Sequence, residues 1–317
     1  MTRKGRKRKH GETSRAVTKE REIQRIDRST IVLDNGSWIP SVAEEFLIGY
    51  PDIEERMKKL DSTAALVGPF RKLKGQSDAE GIELLMLDRE MTDLPEMQTF
   101  LKAAAGRYAF WRDTPSQTNP MIVFVDLKTV PEVTVVGNTM EHAVLDFCER
   151  ALFFTPPDAL KKARATVLGI TEKDVPALEL AARKVIRNRK EICIGGALGS
   201  GRVPIELDSG MIGYRELSTE ASVTENLLRS LRLVGIKEHE LRVGVVISNM
   251  YVETMECVEE GFYKNALDLG HMLFLANQET IFEPMCLTLD TAYRKQGHFD
   301  FIEILKLTLE LREIPCV

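Results

Sequence analysis

A glycine-rich run, Gly195-Gly196-Ala197-Leu198-Gly199-Ser200-Gly201-Arg202, follows the apolar stretch Ile192-Cys193-Ile194. Backbone amides in such a run can cradle a phosphate, which would make the chain a nucleotide- or phosphate-binding enzyme working through residues 195–202. That chemistry also needs a Lys and a Ser or Thr directly after the last glycine, at the start of a helix. Here Arg202-Val203-Pro204 follow, and they read as the start of a strand, so the favoured reading is a wide hairpin tip. Asp126 closes the apolar run 121–127, and strand ends often host sites. A turn or cap role explains it more simply. Cys148 lies six residues after His142, and that spacing puts the two on different faces of a helix. No nucleophile elbow, zinc spacing or HExxH pattern occurs, so no cofactor or metal is called for. The expected function is non-enzymatic.

Basic side chains carry the stronger signal. Arg3, Lys4, Arg6, Lys7, Arg8 and Lys9 crowd seven positions near the start of the chain. Such a run suits RNA or DNA phosphates, or the acidic groove of a nuclear import receptor. Residues 1–28 hold eleven Lys and Arg against four Asp and Glu, or +7. The whole chain is −5, so 32 basic against 44 acidic residues leave 29–317 at −12. A cationic tail therefore precedes an anionic body, and long nucleic acid is repelled by a body of that sign. A second cluster, Arg183, Lys184, Arg187, Arg189 and Lys190, reads either as a phosphate- or protein-contacting strip or as cations favoured by a helix C-terminus.

The elements that must position these groups follow from periodicity. The tail, 1–28, is too charged and too poor in apolar residues to fold alone. Asn35-Gly36 between apolar runs predicts a hairpin with strands near 30–33 and 37–40. Helical patterns cover 41–60, broken at Gly49-Tyr50-Pro51, and 94–111. Residues 68–80 read as a basic linker, and 82–88 fit either strand or helix. Buried strands are expected at 121–127 and 132–137. A helix capped by Asn138 or Thr139 follows, then one opened by Pro156-Pro157, then one begun by Thr171-x-x-Asp174 and running to about 188. Two short strands flank the glycine run. Ser222-x-x-Glu225 opens a helix carrying Leu227 and Leu231; 241–247 could be a strand; 251–313 is helical in pattern. The fold class is α+β: a mixed helix and strand region at 29–215, a helix-rich C-terminal bundle at 216–317, and the disordered basic tail at 1–28.

Within the bundle, 250–276 and 286–312 align with Gly261 over Gly297, Tyr263 over Phe299 and Ala266 over Ile302. This spacing is similar to the tetratricopeptide repeat. The resemblance implies stacked helical hairpins with a groove for a peptide, and hence a peptide-binding adaptor as an alternative function. Five widely spaced cysteines without CxxC imply free thiols and a reducing compartment. No secretory leader or membrane span is legible, so the chain is expected inside the cell and in the nucleus. The favoured function is nucleic-acid association through the tail and protein assembly through the body, as in a structural or accessory protein of a virus or ribonucleoprotein particle.

Overall fold

The computed structural model describes residues 28, 31, 33, 38–127, 131–194, 205–206, 213–215, 217–218, 226 and 237–313. The aromatic and β-branched residues of the central segments pair into a five-stranded antiparallel meander, β1-β2-β3-β4-β5. Its strands are β1 (Ala65–Leu66), β2 (Met97–Ala103), β3 (Gly106–Trp111), β4 (Met121–Asp126) and β5 (Val133–Gly137). Side chains alternate across the strands, and both faces are covered. One face sets Tyr108, Phe110, Ile122, Phe124 and Val136 into a core with Phe46, Ile53, Met57, Phe70, Phe147 and Leu168. A bulge between Thr99 and Leu101 adds Phe100 and Leu101 to the same core. The residues packed there come from α1 (Ser41–Gly49), α2 (Ile53–Lys58), α3 (Pro69–Leu73), α5 (Met140–Ala151) and α6 (Pro157–Leu168). Between α3 and β2 lies α4 (Gly81–Met86); after α6 comes α7 (Val175–Ile192).

The opposite face sets Met97, Ala109, Trp111, Val123, Val125 and Val133 into a second core with Leu269, Leu273, Phe274, Tyr293 and Phe301. Those partners come from α9 (Lys264–Ala276), α10 (Phe282–Gln296) and α11 (Phe299–Leu311), and α8 (Lys237–Glu259) adds Ile247, Met250 and Val258 to the same core. A two-stranded ribbon, β6 (Cys193–Ile194) with β7 (Ile205–Glu206), brackets the glycine run. The fold is thus mixed α+β, with eleven α-helices among the described residues.

Several sequence expectations hold at the level of elements. The break at 49–51 separates α1 from α2, and Thr139 caps α5 by accepting from the His142 amide at 3.4 Å. Thr171 donates its hydroxyl to Asp174 at 2.7 Å just before α7. Glycine turns join α8 to α9 at Gly261 (φ 99°) and α10 to α11 at Gly297 (φ 72°).

Others fail for identifiable reasons. The helix expected over 94–111 is the β2–β3 hairpin, because Phe100, Tyr108, Phe110 and Trp111 each gain a layer of packing only on a sheet. The strand considered at 241–247 is part of α8, so tertiary packing overrides the β-preference of its valines. The linker at 68–80 contains α3, and the ambiguous 82–88 run is helical in α4. Of the strands expected at 30–33 and 37–40, the described residues form none. Trp38 is instead drawn into the core, its ring under the Arg112 guanidinium at 4.9 Å and its carbonyl accepting from Arg112 at 2.8 Å. The Asn35-Gly36 tip, the tail to Asp27 and the helix expected after Ser222, except Asn226, lie outside the described residues.

A buried polar layer ties the sheet to the C-terminal helices through 89–96, which leads into β2. Arg89 donates to the carbonyls of Met97 (2.7 Å), Asp93 (3.2 Å) and Leu94 and to the Thr308 hydroxyl (3.1 Å). Asp93 accepts from Arg107 at 2.6 Å, Thr99 at 2.7 Å and the Glu90 amide at 3.0 Å. Glu96 meets the His271 ring at 2.8 Å and accepts from the Tyr293 hydroxyl at 2.8 Å. Burial pushes both carboxyls up, but their partners outweigh it: the Arg107 and Arg89 guanidiniums hold Asp93, and the contact with His271 holds Glu96, below the ordinary carboxylate range.

Candidate functional site: a clamped Arg215–Glu260 pair

Acidic residues crowd the end of α8: Glu253, Glu256, Glu259 and, just past it, Glu260. The helix stops because Gly261 adopts a left-handed φ, with its amide bonded to the Val258 carbonyl at 3.1 Å and the Phe262 amide bonded to the Cys257 carbonyl at 2.7 Å. This turn places Glu260 at the surface between α8 and α9.

A separate segment, 213–218, is laid against the turn. The Lys264 amide donates to the Gly213 carbonyl at 2.8 Å. The buried Asn265 side chain then grips Arg215 from both sides: it accepts from the Arg215 amide at 3.0 Å and donates to the Arg215 carbonyl at 2.6 Å. So held, Arg215 donates from Nη1 to Glu260 Oε2 at 2.5 Å and lies 5.7 Å from the centre of the Phe262 ring. Ser218 closes the other end, giving both its amide and its hydroxyl to Glu253 at 2.7 Å each. The Tyr214 hydroxyl donates to Asp268 at 3.5 Å.

Burial works against the Arg215 charge, but Cys257, Glu260 and Glu253 outweigh it and raise its pKa above the usual value. Glu260 stays 54% exposed in this pairing. The arrangement is a fixed cation beside an open, oriented carboxylate. A carboxylate so placed at the surface can accept a proton or bind a cation.

The chemistry expected elsewhere is placed differently. Asp126 accepts from the Glu132 amide at 2.9 Å, a turn role. Cys148 is buried, its thiol pushed up to about 12, and His142 Nδ1 accepts from the Asn138 amide at 3.4 Å, so the two form no nucleophile–base pair. Cys148, Cys193, Cys257 and Cys286 take part in no disulfide. Among the described residues no cluster of metal-ligating side chains occurs, and no helix is long and apolar enough to cross a membrane. The glycine run 195–202 and the tail residues Arg3, Lys4, Arg6, Lys7, Arg8 and Lys9 lie outside the described residues. In the second cluster, Arg189 turns inward to pair with Asp113, while Arg183, Lys184, Arg187 and Lys190 face outward.

The model of one protein family, described as histone PARylation factor 1, matches residues 21–312. The chain belongs to the histone PARylation factor 1 family. No individual curated protein matches the chain in sequence. The matched span takes in both cores and the Arg215–Glu260 pair and stops short of the basic run at 3–9. Histone PARylation factor 1 proteins are nuclear and work with protein partners, which are poly(ADP-ribose) polymerases and histones. This overturns the expected function. A structural or accessory protein of a virus or ribonucleoprotein particle, bound to RNA or DNA through its tail, is not what the family is. The composition of a short cationic tail fits import receptors and phosphates alike, so it does not identify the partner of the folded body. The two alternatives fall with it: a phosphate enzyme on the glycine run, and a peptide-binding adaptor. An open array leaves a helix face free for a peptide, whereas α9 is buried from Lys264 to Ala276 at all but one position.

The sequence alone did not single out the Arg215–Glu260 pair, whose members fall on opposite sides of the boundary expected after 215. A signal was present. Glu253, Glu256 and Glu260 recur at helical spacing up to a glycine stop, an acidic face with no Lys or Arg three or four residues away on its own helix.

Proposed function

We propose that this chain is an accessory factor for the ADP-ribosylation of histones, acting together with a poly(ADP-ribose) polymerase. The family match over 21–312 carries the reading. The polymerase holds the dinucleotide donor; the serine oxygen bonds to the anomeric carbon of ADP-ribose as the bond to nicotinamide breaks and nicotinamide leaves, and the serine hydroxyl must lose its proton. Glu260 is the group we assign to that step, as a carboxylate set at a surface that a partner completes. Arg215 orients it, and Asn265 orients Arg215. The open placement of Glu260, more than half exposed, favours this assignment over a self-contained active site.

The test is a reconstitution with polymerase, histones and radiolabelled dinucleotide. The expected outcome is label on histone serines only when the chain is present. Equal labelling with and without the chain would remove the proposal.

We also propose that the run Arg3 to Lys9 is read by a nuclear import receptor. Replacing Arg6, Lys7, Arg8 and Lys9 with Ala is expected to leave a fluorescent fusion distributed across the cell. Unchanged nuclear accumulation contradicts that role.

A further inference from the structure

Helix α7 has two faces of different character. Leu178, Ala182, Val185 and Arg189 fall on one side, where Leu178 packs on the core and Arg189 pairs with Asp113. The opposite side carries Lys190, Arg183, Arg187, Leu180 and Lys184 within an arc of about 120° at 3.6 residues per turn. All five are exposed; Leu180 is 66% exposed and the Arg183 side chain 70%. Among the described residues Lys184, Arg187 and Lys190 have no acidic partner, and Arg183 has only Glu179 at 3.7 Å, a carboxylate already held by Arg164 at 2.6 Å. Glu191 is the one acid on the same arc. The helix is 18 residues long, about 27 Å, so the stripe is long enough to contact a folded partner at several points.

Two observations choose the partner. The chain from residue 29 onward is −12, so an unneutralised cationic stripe is a local exception that an acidic surface would find and orient on. The exposed Leu180 lies amid the cations. A leucine adds nothing to a phosphate backbone, whereas an apolar anchor ringed by charge is the anatomy of a protein interface.

We propose that the outer face of α7 docks on a carboxylate-rich patch of a folded protein. The choice of a histone surface as that patch rests on the function proposed above; the docking itself rests on α7 alone. The probe is the tailless histone heterodimer that forms the acidic patch of the nucleosome, purified without DNA. Fluorescence anisotropy would measure its binding to the full chain at low and moderate salt, beside a DNA duplex.

The expected result is salt-sensitive binding of the heterodimer, weakened at least tenfold by the combined Arg183→Glu, Lys184→Glu and Arg187→Glu variant. Leu180→Ala is expected to weaken it several-fold with little change in salt dependence. These side chains are exposed, so both variants should melt with the wild type, and the circular dichroism melt checks this. No binding by the wild type, or equal binding by the triple variant, overturns the proposal. So does a triple variant that loses DNA binding while keeping the heterodimer. Because the readout is binding, loss of the α7 docking and failure of the chain to support histone labelling are separate results.

Discussion

Asn265 spends its whole side-chain amide on the backbone of Arg215, so the direction of the Arg215 guanidinium is set by a residue that is itself buried. Asn265→Ala removes both bonds and leaves the Arg215 amide and carbonyl to water. A loss of about 1–3 kcal/mol is expected, about 0.5–1.5 kcal/mol for each of two part-buried hydrogen bonds. A denaturant midpoint would read it. Histone labelling should fall even though Glu260 is untouched; full labelling at wild-type stability would show that the clamp positions nothing. None of this could be read from sequence, because Arg215 and Asn265 are fifty residues apart and neither sits in a recognisable motif. The acidic face ending at Gly261 could be read, but it names a carboxylate without its partner.

At the scale of elements, patterning was legible where one local signal dominated. The cap at Thr139, the proline opening of α6 and the glycine stops after α8 and α10 each follow from chemistry within a few residues. The β2–β3 hairpin was not legible. Its turn, Ala103-Ala104-Ala105-Gly106, is built from a strong helix former, and only the sheet rewards the aromatic residues flanking it. Gly106 is the position that makes the hairpin possible. Its φ is 153°, and a Cβ there would sit 2.2 Å from the Val125 carbonyl oxygen. Gly106→Ala is expected to cost more than about 2 kcal/mol and to lower the melting temperature by several degrees. An unchanged melt would mean that β3 and β4 separate there freely. Packing overrides local preference in α8 as well. Its run Val243-Gly244-Val245-Val246-Ile247 favours strand locally, and burial of Ile247 and Met250 decides otherwise.

The whole molecule is organised around a sheet covered on both faces, with the C-terminal helices supplying one cover. A chain ending at 215 would expose Trp111, Val123 and Val125. It should therefore aggregate or lack a cooperative melt, and a soluble, cooperatively melting fragment would contradict the shared core. The polar layer of Asp93 and Glu96 lies between sheet and helices and makes stability depend on pH. Both folded-state pKa values are depressed, so their contribution is fully present above the unfolded values of about 3.9 and 4.3 and is lost as pH falls through the folded values. Unfolding free energy should hold from pH 7 to about 5 and drop below about 4. Glu96→Gln should flatten that drop, and an unchanged acid limb would show that the His271 pairing is not what holds Glu96 ionised.

The role proposed for Glu260 requires a site that another protein completes. The most direct measurement compares wild type with Glu260→Gln in the reconstituted histone-labelling reaction, with binding to the polymerase measured in parallel. Loss of a proton-accepting carboxylate should reduce histone labelling by about 10² to 10⁴ while polymerase binding stays within about twofold. Full labelling by Glu260→Gln, with binding intact, would contradict the account and leave the Arg215–Glu260 pair a structural latch.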